Sequence, residues 1–120
     1  MKYAALLFNT ADDWKRWEAL TPEEAVAARA QEVPKWQALF EATGKRWLGG
    51  YELGERSAAK VVRVRDGETQ VTDGPYAETK EVLGGLALLD CENLDDAISI
   101  AALVPLVDRG AVELRPLVER

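Results

Sequence analysis

Residues 72–85 of the chain read Thr72-Asp73-Gly74-Pro75-Tyr76-Ala77-Glu78-Thr79-Lys80-Glu81-Val82-Leu83-Gly84-Gly85. The Asp-Gly-Pro triplet is typical of a turn, because aspartate accepts backbone hydrogen bonds, glycine supplies backbone freedom and proline fixes the exit direction. An aromatic residue, two acids and a lysine follow the turn, and the glycine pair then opens an apolar run. The segment therefore predicts a turn, a polar loop of mixed charge and the start of a buried strand.

Apolar patterns on both sides of this segment predict a mixed chain of strands and helices. The patterns and their flanking turn residues favour strands over residues 3–8, 46–53, 61–65, 69–72, 84–90 and 111–117, and helices over 12–19, 22–44 and 94–104. Asp66-Gly67, between the third and fourth strands, is a strong hairpin signal. No repeat, linker or low-complexity segment interrupts this order, so we expect a single α+β domain over residues 1–120.

The longest predicted helix has a well-formed start and an internal proline. Thr21 is placed to cap it, Pro22 suits the first turn and Glu24 completes a capping box. Pro34 lies inside the same apolar pattern and has no N–H to donate, so we expect a kink or a break there. The next main helix begins after Asn93, which is also a capping residue.

The composition of the chain limits the kinds of partner that it can bind. The chain has 120 residues and a formal net charge of −6, from 15 basic and 21 acidic side chains. An acidic surface repels phosphate backbones, so we expect no nucleic-acid partner. The apolar runs are too short to span a bilayer, and Met1-Lys2 leads into a strand without a cleavage site, so we expect no membrane partner and a cytoplasmic location.

The absence of histidine limits the catalytic mechanisms and metal sites that the chain can have. Histidine-based acid–base catalysis, histidine-activated nucleophiles and most zinc or haem sites are excluded. Cys91 is the single cysteine and ends an apolar strand, which favours a small buried hydrophobe. Gly84-Gly85 lacks the spacing of a phosphate-binding loop and more simply marks a bulge. We expect no cofactor and no metal ion.

The segment Asp73–Glu81 resembles the signature of the DGPF subgroup of the YCII-related family, with Tyr76 at the position of the phenylalanine. The resemblance extends to Met1-Lys2-Tyr3, Val64-Arg65-Asp66-Gly67 and Val112–Pro116. It implies a ferredoxin-like antiparallel sheet with two main helices on one face, pairing as a dimeric α+β barrel. The His–Asp pair proposed as catalytic in the broader family has no counterpart here, since this chain has no histidine.

Strand patterning gives an independent reason to expect a homodimer. In the first strand, Ala4, Leu6 and Phe8 alternate with other apolar residues, so both faces of the strand are apolar. Two helices can cover only one face of the sheet, and an uncovered apolar face is an association surface. The charged residues that alternate with apolar ones in other strands either leave a charged pocket or solvate an open face; they are Glu52, Arg63, Arg65, Glu113 and Arg115.

The candidate site lies in and around the signature loop. A carboxylate near a lysine gives a base with a tuned pKa or a clamp for a polar ligand, so Asp73, Glu78 and Lys80 are candidate catalytic residues. The candidates for binding a small polar or anionic ligand are Tyr76, Arg63, Arg65, Arg115 and Glu52. The alternative is that the loop is only a turn with solvated charges, and that the arginines form salt bridges with Glu52 and Glu113 across the sheet.

Two functions follow, and the sequence leaves both open. One is a small-molecule-binding protein or enzyme with its pocket between the sheet and the Asp73–Glu81 loop. The other is a regulatory or protein-interaction domain without chemistry. The resemblance supports this second function, because proteins of the subgroup occur beside, or fused to, extracytoplasmic-function sigma factors. The fold does not decide between them, since ferredoxin-like domains carry many unrelated functions.

Overall fold

A computed structural model describes residues 1–75 and 80–120. Tyr76 and Glu78, two of the predicted site residues, lie outside the described residues. The helices are α1 (Ala11–Glu18), α2 (Pro22–Thr43) and α3 (Leu94–Ala101), and two short 3-10 turns cover Gly44–Arg46 and Arg56–Ala58. The strands are β1 (Lys2–Thr10), β2 (Trp47–Glu52), β3 (Lys60–Arg65), β4 (Glu68–Asp73), β5 (Glu81–Asp90) and β6 (Ala111–Pro116).

Four of the strands form one antiparallel sheet in the order β2-β5-β1-β6. Without β3 and β4, the chain order is strand, helices, strand, strand, helix, strand. This order and the sheet topology are consistent with a ferredoxin-like α+β fold. The predicted mixed α+β architecture is therefore confirmed.

The helices begin where their capping residues predict. The Thr10 hydroxyl accepts from the Asp13 amide at 3.1 Å and starts α1. Both bonds of the capping box are present at the start of α2, where Thr21 and Glu24 bond each other's amides at 3.2 and 2.9 Å. Helix α2 continues through Pro34 without interruption, so the expected break is wrong. Pro34 lies on the exposed side of this helix.

The core lies between one face of the sheet and the helices. Alternate residues of β1 point into it, starting with Tyr3, and Ala87 and Leu89 of β5 lie beside them. Leu39 of α2 and Ile100 of α3 cover these strands. The buried cluster also contains Ala5, Leu7, Cys91, Ala97 and Val104. Cys91 is buried as expected, and this burial raises the pKa of its thiol.

Two irregularities in the sheet change which side chains share a face. The β1–β5 register shifts opposite Gly84, so the predicted bulge at the glycine pair is confirmed. The β2–β5 register shifts between Trp47 and Gly49. As a result Trp47 packs against the core, whereas Tyr51 is 71% exposed on the opposite face. Strict alternation along the sequence places Trp47 and Tyr51 on one face of the strand, but the bulge inserts one extra residue and reverses the alternation.

Strands β3 and β4 form a two-stranded sheet of their own. The predicted turn is present, since Asp66 and Gly67 have φ values of 52° and 77°, as a tight hairpin turn requires. We call residues 60–73 the arm. The arm shares no strand ladder with the main sheet, which therefore has four strands among the described residues.

No helix in residues 1–75 and 80–120 is long and apolar enough to cross a bilayer.

Candidate functional site

The described ends of the signature loop are exposed and held by local contacts. Asp73 ends β4, and its carboxylate pairs with Lys60 directly across the arm. Lys80 is exposed, and its carbonyl accepts a hydrogen bond from the Ala11 amide at 2.7 Å. A carboxylate near a lysine is therefore present, but the lysine is Lys60 and not the predicted Lys80.

The predicted ligand-binding residues on the sheet are not brought together. Arg115 lies on β6, where its Nε bonds Glu113 at 2.8 Å. Glu52 lies on β2 at the other edge of the sheet and faces α2, where it is 3.9 Å from Arg29. Two strands and the thickness of the sheet separate Arg115 from Glu52. Arg115 thus pairs with Glu113 along its own strand and not across the sheet, and Glu52 pairs with a helix residue instead of an arginine of the sheet.

Arg63 and Arg65 lie on the arm, away from both of these positions. They alternate with Val62 and Val64, as predicted, and so occupy the opposite face of the hairpin. Arg65 donates to the Val64 carbonyl at 3.0 Å, and Arg63 is half-buried. The described residues of the predicted site are thus distributed over four places, which are the arm, the start of α1, β6 and β2.

A cavity of about 420 Å³ lies beside the first two helices, where no site residue was predicted. Its size is within the range of small-molecule pockets. Charged and amide groups share its wall with apolar side chains. The lining residues are Asp13, Arg16, Trp17, Leu20, Ala28, Gln31, Glu32 and Arg109.

Asp13 is the buried centre of this wall, with 4% of its surface exposed. Its Oδ2 accepts from Asn9 Nδ2 at 2.6 Å and from Arg109 Nε at 3.1 Å, and its Oδ1 accepts from Arg16. Burial on its own raises the pKa of Asp13, but the hydrogen bonds from Arg16, Asn9 and Arg109 outweigh burial and lower it. Asp13 therefore stays ionised at neutral pH.

Arg109 connects this carboxylate to the second helix. Its Nη2 lies 3.7 Å from Glu32 Oε1, and its Nη1 donates to the Pro105 carbonyl at 3.3 Å. Burial on its own lowers the pKa of Arg109, but its contacts with Asp13 and Glu32 raise it. Both Asp13 and Arg109 are held in their charged forms, so the pair is suited to positioning charge rather than to transferring a proton.

The cavity joins segments that are far apart in the chain. Arg109 is 96 residues from Asp13, and no motif connects them. One local signal of the site is the run Asn9-Thr10 at the end of an apolar strand, followed by acids at the start of a helix. This run predicts a helix cap, and only the sheet topology reveals that Arg109 returns to the same end of β1.

The C-terminal end of the signature loop is bonded to the first residue of α1, the helix that forms part of the cavity wall. Lys80 is bonded to Ala11, the first residue of the helix that carries Asp13, Arg16 and Trp17. Glu81 pairs with Thr10 in the adjacent ladder. The same end of the sheet therefore holds the loop's exit and the start of the cavity wall.

The side of the main sheet opposite the helices is uncovered by the described residues. We call it the open face, and its members are Lys2, Ala4, Leu6, Phe8, Tyr51, Leu83, Leu86, Leu88, Asp90, Glu113 and Arg115. Tyr51 and Leu88 are exposed, Glu113 pairs with Arg115, and Asp90 lies opposite Lys2 and 3.6 Å from the Met1 amino group. The middle of the surface is therefore apolar, with one charged pair on β6 and another at the Lys2–Asp90 end.

Comparison with known proteins agrees with the fold. The YCII-related domain matches residues 1–120. An uncharacterised protein of Rhizobium meliloti (strain 1021), R00369, is 35% identical over 120 residues, which cover 98% of this chain and 92% of that protein. An α+β domain with this sheet order defines a broad structural class. Within that class, the chain belongs to the YCII-related domain family.

Proposed function

We propose that this protein binds a small organic anion in the cavity beside α1 and α2. The observation that supports this function is the buried Asp13 carboxylate, which holds the exposed Arg16 guanidinium at the cavity wall, beside Arg109. Guanidinium groups bind carboxylates and phosphates through paired N–H donors. Holding them in place before binding reduces the ordering cost of the complex.

The other side chains of the cavity define what the ligand contains besides its charge. Trp17 and Leu20 provide apolar contact area, whereas Gln31 and Glu32 provide polar groups on α2. A ligand with an aromatic or aliphatic body and one carboxylate matches both parts. Simple binding is favoured over catalysis, because the buried acid and base are both held in their charged forms.

Titration calorimetry with benzoate as the probe tests this proposal, with benzyl alcohol as its uncharged match. The Arg16 side chain is mostly exposed, so Arg16→Gln is expected to fold and to weaken benzoate binding about tenfold, which corresponds to about 1.4 kcal/mol of binding free energy. Arg29→Gln is the matched control, since Arg29 is an exposed arginine outside the cavity lining. Equal binding of benzoate and benzyl alcohol, or equal loss in both variants, contradicts the proposal.

We also propose that the protein is a homodimer of the DGPF subgroup and works in the cytoplasm. The open face supports the dimer, because burying an apolar sheet face against a second copy removes it from water. The Asp73–Glu81 segment supports the subgroup. The pocket predicted between the sheet and the Asp73–Glu81 loop, with Asp73, Glu78 and Lys80 as its site residues, stays a prediction.

A non-catalytic regulatory domain that contacts an extracytoplasmic-function sigma factor is the alternative. The exposed valines of the arm favour it, because they offer an apolar surface to another protein. Sedimentation equilibrium separates the two proposals. A purified chain that stays monomeric at about 100 μM has a dimerisation free energy weaker than about 5.5 kcal/mol. That result contradicts the homodimer and leaves the valines of the arm as a surface for a different protein.

A further inference from the structure

We infer that the arm is a second part of the homodimer interface, and that its valine face packs against the second copy. The inference rests on the homodimer proposed above. In the arm, Val62 pairs with Val71 across the ladder and Val64 lies on the same face. Their exposed fractions are 62%, 60% and 59%.

The arm has only two strands and an exposed apolar face, so a partner that covers this face would stabilise it. A two-stranded hairpin is marginally stable in water, and three strands or a packed face are needed for independent stability. β-branched residues paired across strands stabilise a sheet mainly when the pair is buried. Within the described residues, nothing covers this face of the arm, so its valines contribute little in the isolated chain.

The open face alone is too small for a stable dimer interface. Four strands about 4.8 Å apart and about 20 Å long give the open face roughly 400 Å² in projection. A stable interface takes about 800 Å² from each partner, so the open face supplies only about half. The arm's two strands add roughly 200 Å² of the same character.

Charge also suits a self-complementary interface. Lys60 and Asp73, the charged residues on the valine face, pair with each other at its base. Glu113 and Arg115 pair with each other at the edge of the open face. Lys2 and Asp90 lie opposite each other at one end of the open face, with Asp90 3.6 Å from the Met1 amino group. The charges of both regions therefore each have an opposite charge beside them, which suits the burial of the same patch on both copies.

The test compares two double variants with the same change in charge. Val62→Glu with Val71→Glu places carboxylates on the valine face, whereas Gln70→Glu with Thr72→Glu places them on the other face of the same strands. Sedimentation equilibrium is expected to show the dimer dissociation constant raised on the order of 100-fold in the first pair, because two uncompensated charges enter the interface in each copy. In the control pair it is expected to change by less than about threefold.

Hydrogen exchange of the wild-type chain gives a readout that does not depend on the variants. The arm's ladder amides are expected to be protected at high protein concentration and to lose that protection on dilution below the dissociation constant. If the wild-type chain is a dimer and the two double variants have the same dissociation constant, the arm inference is wrong and the homodimer is unaffected. A monomeric wild-type chain overturns the homodimer itself, and protection of the arm that is independent of concentration overturns the arm inference alone.

Discussion

At the scale of single residues, the chain's most constrained polar group is Asp13. Its carboxylate is buried and has three side-chain donors, so each oxygen is satisfied. A buried charge is tolerated only when it is paired and hydrogen-bonded in this way. The residue therefore has a structural role as well as the proposed role of holding two guanidinium groups at the cavity.

The lowered pKa of Asp13 predicts how stability depends on pH. Because the folded state binds the Asp13 proton more weakly than the unfolded state, this residue's contribution is complete above about pH 5 and is lost as pH falls through its folded pKa. The free energy of unfolding, measured in urea between about pH 2 and pH 7, should show Asp13→Asn less stable than wild type at neutral pH, by about 2 kcal/mol.

The difference between wild type and Asp13→Asn should shrink as the pH falls below about 4, since only the wild-type residue titrates. Asp12→Asn is the control, because Asp12 is the exposed neighbour in the same helix turn. A difference that stays constant over the whole pH range would show that Asp13 is not ionised in the folded state.

Gly110 is the second residue with a strict requirement. A Cβ placed on it would lie 2.0 Å from the Phe8 carbonyl oxygen, a backbone atom that has no rotamer to change. Gly110→Ala should therefore lower the free energy of unfolding by about 3 kcal/mol or more, as severe overpacking does. Gly49→Ala is the matched control, since no atom lies within 4 Å of its Cβ position. Thermal or urea unfolding that gives the two variants equal stability would contradict this close approach.

At the scale of elements, the features predicted correctly are those that neighbouring residues determine, such as helix starts and turns. Thr21 with Glu24 and Asn93 with Asp96 marked the helix starts, and Asp66-Gly67 marked the hairpin. The predictions that failed depend on contacts between distant segments. The bulge at Trp47 reverses the alternation of β2, and nothing in the local pattern indicates whether the hairpin joins the main sheet.

The candidate site was less predictable than the fold for the same reason. Asp73 is beside a lysine, as expected, but the pairing of β3 with β4 makes that lysine Lys60. The Asp13–Arg109 pair depends on β6 returning beside β1, which only the topology determines. Long-range pairs of this kind leave no spacing in the sequence to read.

The continuous helix α2 gives a prediction at this scale. Pro34 removes one backbone hydrogen bond from the helix and its ring crowds the Ala30 carbonyl, although the side chain is exposed. Pro34→Ala should therefore raise the free energy of unfolding by about 1–3 kcal/mol. Gln37→Ala, at another exposed position of α2, should change it by less than about 0.5 kcal/mol. A destabilised Pro34→Ala, measured by urea unfolding, would show that the proline is required by the packing of this helix.

At the scale of the whole molecule, the chain is a thin slab. Its principal extents are 47, 46 and 20 Å. A sheet and the helices on it account for a thickness of this order, since packed layers lie about 10 Å apart. One broad side of the slab is covered by helices, and the open face belongs to the other. A second copy placed on that side would make a four-layer assembly, with the two sheets inside, and would bury the exposed ring of Tyr51.

This arrangement predicts that a charge on the open face dissociates the dimer without unfolding the subunit. Leu88→Lys places an ammonium group at the centre of the open face, between β2 and β1, and is expected to raise the dimer dissociation constant on the order of 100-fold. Val26→Lys is the control, because Val26 is 70% exposed on α2, outside the open face. Light scattering over a dilution series measures the dissociation constant, and circular dichroism checks that both variants keep their helices. If the two lysine variants dissociate at the same concentration as wild type, the subunits meet through a surface other than the open face, and the sheet-to-sheet pairing of a dimeric α+β barrel is wrong for this chain.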